Sequence, residues 1–304
     1  MKYKRFFHYT FWSFWGGLSL LLISEVGLRT AGCGDFPIFD ADAEIGYVPR
    51  PSQSGVFLRD KDWVINADSM LNRQPFLANQ RDGVLLLSDS IVWGGVAYKH
   101  DEKLGPQLQA SLGDPWRVWS VGAGSWAVLN ELTWLKRHVN VSSGVAQIVW
   151  LINSEDLDAR SQWSSEFTHP THHPLWLGGY LVSKAMADHG WWPASSLPAK
   201  QVHDVDAKAA LTAYCSELRV AGGARIHLVF YPDAAELAAG PNVPNKVANT
   251  LAEVAGKTGA VFHDLRRHPQ WKGSDYKDAI HPSPAGNRRL AEVLRKWLLE
   301  DSDR

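Results

Sequence analysis

The stretch "LLLSDSIVWGG", Leu85 to Gly95, ends an apolar run in two serines flanking an aspartate and then adds two glycines. A short continuous apolar run bounded by turn residues fits a strand buried on both faces of a sheet. In an open α/β sheet, ligands and catalytic groups collect beyond the carboxyl ends of such strands. Ser90 therefore stands where either a turn residue or a nucleophile would stand. A serine in that place most often only caps or turns the chain, so its partners decide.

Outward from this point the pattern repeats. Apolar runs at Val84 to Leu87, Arg117 to Val121, Gln147 to Ile152, Arg225 to Tyr231 and Ala260 to His263 are each bounded by Gly, Asp, Asn or Ser. Between and after them lie helix-period segments at Leu104 to Leu112, Trp126 to Val139, Ala207 to Val220, Val243 to Lys257 and Pro284 to Leu299. This alternation predicts right-handed βαβ crossovers and a five-stranded parallel sheet covered by helices on both faces. Residues 83–304 form the expected α/β domain. One connection, residues 157–205, is far longer than a usual loop; its aromatic content predicts an ordered, functional insertion. Residues 30–82, rich in Pro, Asp, Asn and Ser, read as an irregular lead-in with little regular structure.

The first 29 residues differ. "MKYKR" supplies Lys2, Lys4 and Arg5, and Phe6 to Ser24 is a run of 19 residues without a formal charge. At about 1.5 Å per residue such a helix nearly spans a hydrocarbon core of roughly 30 Å. The basic end is expected to stay cytoplasmic. No small-x-small site follows the run directly, and Glu25 and Arg29 separate it from "TAGC", so an uncleaved single-pass anchor is expected rather than a signal peptide.

The totals narrow the function. The 304 residues are 45% hydrophobic, enough for a sizeable core, and the net charge of −1 gives no reason to expect nucleic acid as a partner. Cys33 and Cys215 are read as two unrelated thiols. Fifteen tryptophans hint at surfaces on which sugar rings stack.

Partners for Ser90 stand far along the chain, in "YKDAIHPSPAGNRRL". Asp278 and His281 are three apart, just before a helix that Pro284 can start, so one tight loop can present both. A serine hydroxyl needs a base to take its proton, and an imidazole needs a carboxylate to fix its tautomer. Asp278 and His281 supply these two groups. The rival motif "GAGSWA", Gly122 to Ala127, fits a dinucleotide fingerprint, but no acidic residue ends the next strand at the usual distance. His169, His172 and His173 in "HPTHHP" lack further metal-ligand spacing and are read as solvent-facing, so no metal and no cofactor is expected. HExxH and G-x-S-x-G are both absent.

On these residues the chain resembles the SGNH/GDSL hydrolase family over roughly Gly83 to Trp297. "LSDSIVWGG" is similar to the GDS block, "WSVGAGSW" to the glycine block, "INSEDL" to the G-x-N-D block, and "DAIHPSPAGN" to D-x-x-H-P-S. The resemblance implies a three-layer, flavodoxin-like α/β/α fold with esterase or acyl-transfer activity. It implies Ser90 as nucleophile with the N–H groups of Ser90 and Gly122 in the oxyanion hole, where either Asn153 swings in as a third donor, or the two backbone donors act alone, or catalysis is weak. Two positions depart from the pattern: Ser88 replaces a glycine, and Glu155 stands where asparagine is expected. The expected protein is an inner-membrane esterase with a periplasmic catalytic domain. It would act on O-acyl, chiefly O-acetyl, groups of an envelope or exported polysaccharide, with polysaccharide-biosynthesis proteins as partners. Asp89, Trp191 and Trp192 are the expected substrate contacts. An O-acyltransferase using the same acyl-enzyme, and a non-catalytic glycan-binding relative, are the alternatives.

Overall fold

Five strands, each an apolar run short enough to cross the core once, form a single parallel sheet. The computed structural model describes residues 2–78, 82–195, 197–201 and 205–302, with side chains described from Phe11 to Glu300. The side chains of Lys2, Lys4 and Arg5, from which orientation in a membrane was read, and the terminal Arg304 lie outside the described residues.

In chain order the strands are β1 (Phe39–Asp42), β2 (Gly46–Pro49), β3 (Gln53–Phe57), β4 (Lys61–Ile65), β5 (Gly83–Leu87), β6 (Arg117–Val121), β7 (Gln147–Ile152), β8 (Arg160–Gln162), β9 (Ala199–Gln201), β10 (Arg225–Phe230) and β11 (Val261–Asp264). The α-helices are α1 (Lys2–Thr30), α2 (Ser90–Trp93), α3 (Leu104–Leu112), α4 (Val128–Arg137), α5 (Val139–Ser142), α6 (Leu177–Asp188), α7 (Ala207–Val220), α8 (Ala234–Ala239), α9 (Lys246–Thr258) and α10 (Pro284–Ser302). The central sheet has the order β11-β10-β7-β5-β6, with every neighbouring pair parallel. Helices α3 and α10 pack together, as do α4, α7 and α9, giving the expected three layers. All residues of β5 and β7 are buried, which is why their sequences show no polar alternation. Chain direction across the sheet reverses between β5 and β7. That switch point lies at their carboxyl ends, where Ser90 and Asn153 follow.

The lead-in differs from the expectation of irregular structure. It forms two antiparallel hairpins, β1–β2 and β3–β4, whose Phe39, Ile45, Tyr47, Trp63 and Ile65 are buried in the same core as the sheet. The β3–β4 turn uses Leu58 and Arg59 at φ values of 51° and 58°, without a glycine or asparagine to announce it. Among its described residues the insertion contains α6 and the antiparallel β8–β9 pair.

Helix α1 includes one segment, Phe11–Thr30, long and apolar enough to cross a membrane, with none of that window buried against the protein. Both cysteines are free thiols.

Candidate active site

The turn after β5 is organised by Asp89. Its Oδ1 accepts the Ile91 N–H at 3.0 Å and caps α2, so Ser90 becomes the first helical residue; Gly94, at φ 61°, ends the helix one turn later. Ser88 is buried and is not among the described residues with positive φ, so a serine replaces glycine here without backbone strain.

The second loop is held from several sides. Lys277 N–H donates to the His281 carbonyl at 2.8 Å, and Tyr276 bridges to Pro282. Tyr98 Oη donates to the Pro282 carbonyl at 2.6 Å, and Tyr231 Oη donates to the Ile280 carbonyl at 2.8 Å. In this frame His281 Nδ1 lies 3.0 Å from each oxygen of Asp278, and His281 Nε2 lies 3.0 Å from Ser90 Oγ. A carboxylate only accepts, so Nδ1 carries the proton, and Nε2 is left to accept from the serine hydroxyl. Partial burial would raise the Asp278 pKa, but N–H donation from His281 and Ile280 and the nearby imidazole charge hold it below the ordinary value.

Gly122 follows β6 at a close approach. A Cβ there would sit 2.1 Å from the Ser88 carbonyl oxygen, so only glycine lets the two strand ends meet. Among the described residues, neither the Ser90 N–H nor the Gly122 N–H donates to a protein acceptor. Asn153 is buried; its Nδ2 donates to Asp89 Oδ2 at 3.2 Å, and its Oδ1 accepts the Glu155 N–H at 2.8 Å. Glu155 itself points into solvent. Of the two residues competing for the asparagine role, Asn153 is thus the one bonded to the Ser90 turn.

Around this turn lie three buried carboxyls that motif reading passed over or misplaced. Asp89, assigned to substrate contact from the sequence, is buried, and its oxygens are used by Ile91, Asn153, Ser88 and Ser90. Asp156 Oδ2 accepts the Asn153 N–H at 2.8 Å. Glu131 Oε2 accepts from Trp150 Nε1 at 2.5 Å, while its Oε1 has no partner among the described residues. Burial raises the pKa of all three, and the Asp89 charge raises the other two further; Glu131 is pushed up to about 8.

The "HPTHHP" reading is corrected in part. His172 and His173 are exposed, but His169 is buried, its ring stacked on Tyr47 with centroids 3.6 Å apart. Burial pushes its pKa down to about 3, so it stays neutral. Tyr47 in turn donates to the Gly124 carbonyl at 2.6 Å, and Trp126 Nε1 donates to the Tyr47 carbonyl at 3.0 Å. The lead-in and insertion thereby cover the "GAGSWA" loop that a dinucleotide would need. No local signal could have revealed this, since Tyr47, Gly124 and His169 are distant in sequence. Among the described residues no group of three or more His, Cys, Asp or Glu side chains is placed to hold a metal ion. Trp191 and Trp192 follow α6, 75% and 43% exposed, and none of their described contacts reaches the Ser90 turn.

No protein-family model and no curated protein matches the sequence. Solved structures similar to the chain include a carbohydrate acetylesterase family member from Sinorhizobium meliloti, at 17% identity and TM-score 0.40, covering 71% of this chain and 97% of that one. A putative arylesterase from Agrobacterium tumefaciens aligns at 14% identity and TM-score 0.41, covering 72% and 99%. The M. smegmatis aryl esterase aligns at 16% identity and TM-score 0.40, covering 72% and 99%. All three are named as esterases.

Proposed function

We propose that the protein is a serine esterase that removes O-acyl, chiefly O-acetyl, groups from an envelope or exported polysaccharide. The observation that carries this reading is the unbroken chain from Ser90 Oγ through His281 to Asp278, with a 3.0 Å hydrogen bond on each side of the imidazole. Ser90 Oγ attacks the ester carbonyl carbon as its proton passes to His281 Nε2, and Asp278 stabilises the imidazolium. The oxyanion is held by the Ser90 and Gly122 N–H groups. Asn153 adds the second hydrogen of its amide, the first being committed to Asp89. Collapse returns the His281 proton to the departing sugar oxygen and leaves an acyl-Ser90. Water, giving a proton to His281, then adds to the acyl carbon, and His281 returns that proton to Ser90 Oγ as the acyl–oxygen bond breaks and the carboxylic acid leaves.

In this reading α1 anchors the chain in the inner membrane with the catalytic domain in the periplasm, and Trp191 and Trp192 offer aromatic faces to sugar rings. Intact-mass measurement tests the chemistry: an activated acetyl ester should add one acetyl group at Ser90. Decay of that adduct at the same rate with and without sugar acceptors supports hydrolysis, whereas faster decay with an acceptor supports acyl transfer. A folded protein that forms no adduct refutes both. A reporter fused after Arg304 that works only in the periplasm should be active, and activity of a cytoplasmic reporter would reverse the compartment.

A further inference from the structure

The last turns of α1 are built into the insertion. Glu25 accepts the Leu177 and Gly178 N–H groups, each at 3.0 Å, and so caps the N-terminus of α6 from another element. Arg29, paired with Glu25 at 2.7 Å, donates to the carbonyls of Pro174 and Leu175, each at 2.9 Å. A Cβ on Gly179 would overlap the Trp176 ring at 2.3 Å, so glycine lets Trp176 lie close against this end of α6, and a Cβ on Gly178 would stand in ordinary contact with Leu28 of α1 at 3.7 Å. Beside this junction the insertion turns apolar groups outward: Leu175 is 99% exposed and Trp176 55%, and Val182, further along α6, is exposed as well.

We infer that this face of the insertion rests on the lipid bilayer, with Leu175 and Trp176 at headgroup depth beside the exit of α1. The inference relies on α1 crossing the membrane and adds a second contact with it. The uncharged run ends at Ser24, so Glu25 lies at the hydrocarbon boundary and Arg29 about 7 Å beyond it at about 1.5 Å per residue. The polar interfacial layer on each side of a bilayer is of that thickness, roughly 5–8 Å. Leu175, whose carbonyl Arg29 binds, is held at the same depth, where an indole ring with one apolar and one polar edge is favoured. Glu25 also removes the cost of leaving α6 N–H groups unpaired where water is scarce. The insertion reaches the site as well: Pro170 accepts the Phe39 N–H at 2.8 Å, and Phe39 packs against Trp93 of the Ser90 helix. The proposed esterase would therefore work close to the lipid surface, on acylated glycan at or tethered to the membrane.

Photocrosslinking of the full chain tests this in vesicles of phosphatidylethanolamine and phosphatidylglycerol. Leu175→p-benzoylphenylalanine should gain the mass of one phospholipid on illumination. Val220→p-benzoylphenylalanine, at an 89% exposed site on α7, should not. Both side chains are solvent-accessible, so neither change disturbs the core. Carbonate extraction of the unmodified chain is run alongside. Retention in the pellet without a lipid adduct at position 175 overturns this inference alone, as does a crosslinked dimer, which would put a second copy on that face. Release by carbonate overturns the anchor together with it, and the acetyl-adduct experiment on Ser90 is affected by none of these results.

Discussion

Asn153 Nδ2 lies 3.2 Å from Asp89 Oδ2, a hydrogen bond that ties the turn after β7 to the turn after β5 across the switch point of the sheet. Asp156 Oδ2 accepts the backbone N–H of the same asparagine, so the residue is held through both its backbone and its side chain. The position nominally aligned with the family asparagine, Glu155, instead points into solvent. Glu155→Asn should therefore leave kcat unchanged, whereas Asn153→Ala should lower it on the order of 10²-fold or more, the usual loss for one oxyanion donor. Steady-state kinetics on an activated acetyl ester check both. A rise in kcat for Glu155→Asn would place the donor at the wrong residue.

Ser90→Ala and His281→Ala should each reduce kcat on the order of 10⁴-fold or more, and the double variant should be hardly worse, because the two residues work as one unit. Asp278→Asn should cost about 10⁴-fold by imposing the wrong imidazole tautomer. Ser88→Gly should leave activity equal or higher. Multiplying losses in the double variant would argue against a shared proton path.

Gly122→Ala should damage both stability and turnover. Its new Cβ would meet the Ser88 carbonyl oxygen at 2.1 Å, and backbone on both sides leaves no flexible group to yield. A drop in Tm together with a lower kcat is expected. Wild-type values for both would show that the strand ends move apart freely.

Glu131→Gln should flatten the pH dependence of stability. The Glu131 carboxyl keeps its proton in the folded state up to about pH 8, because burial penalises its charge. Unfolded, it titrates near the ordinary glutamate value of 4.5. Between these values the folded chain binds more protons than the unfolded one, so stability is full below the lower value and declines as pH rises towards the upper. Glutamine removes this contribution. Tm measured from pH 5 to pH 8 should fall less in the variant, and a parallel fall would mean that Glu131 is already ionised.

Trp191→Ala with Trp192→Ala should raise KM for a polymeric acetylated substrate and leave a small acetyl ester little affected, since only remote binding is lost. Equal loss on both substrates would point to a disturbed fold.

The sheet was legible because most of its strands are buried on both faces, which writes them as apolar runs; β6 and β7 begin and end where those runs do. The D-x-x-H spacing was legible because one short loop carries both residues. The lead-in was not. Its turns place Ser52, Leu58 and Arg59 at positive φ, where Gly or Asn would have signalled a hairpin. Its buried Tyr47 pairs with Gly124 and His169, which no local pattern links to it. Asp89 reads in the sequence as a substrate contact beside Ser90, because the sequence does not show that Asn153 comes to meet it.

The C-terminus of α1 has a final property. Gly32, at φ 78°, closes the helix as its N–H and that of Cys33 bond back to Arg29 and Leu28. Its carbonyl accepts the Leu58 N–H at 3.1 Å, and Asp35 accepts the Val56 N–H at 2.6 Å. The helix thus passes into the β3–β4 hairpin with no slack between them. In the proposed reading, a catalytic body joined in this way has no leash: it would turn as its helix turns, and its search for substrate would be confined to a thin layer beside the surface that holds the helix.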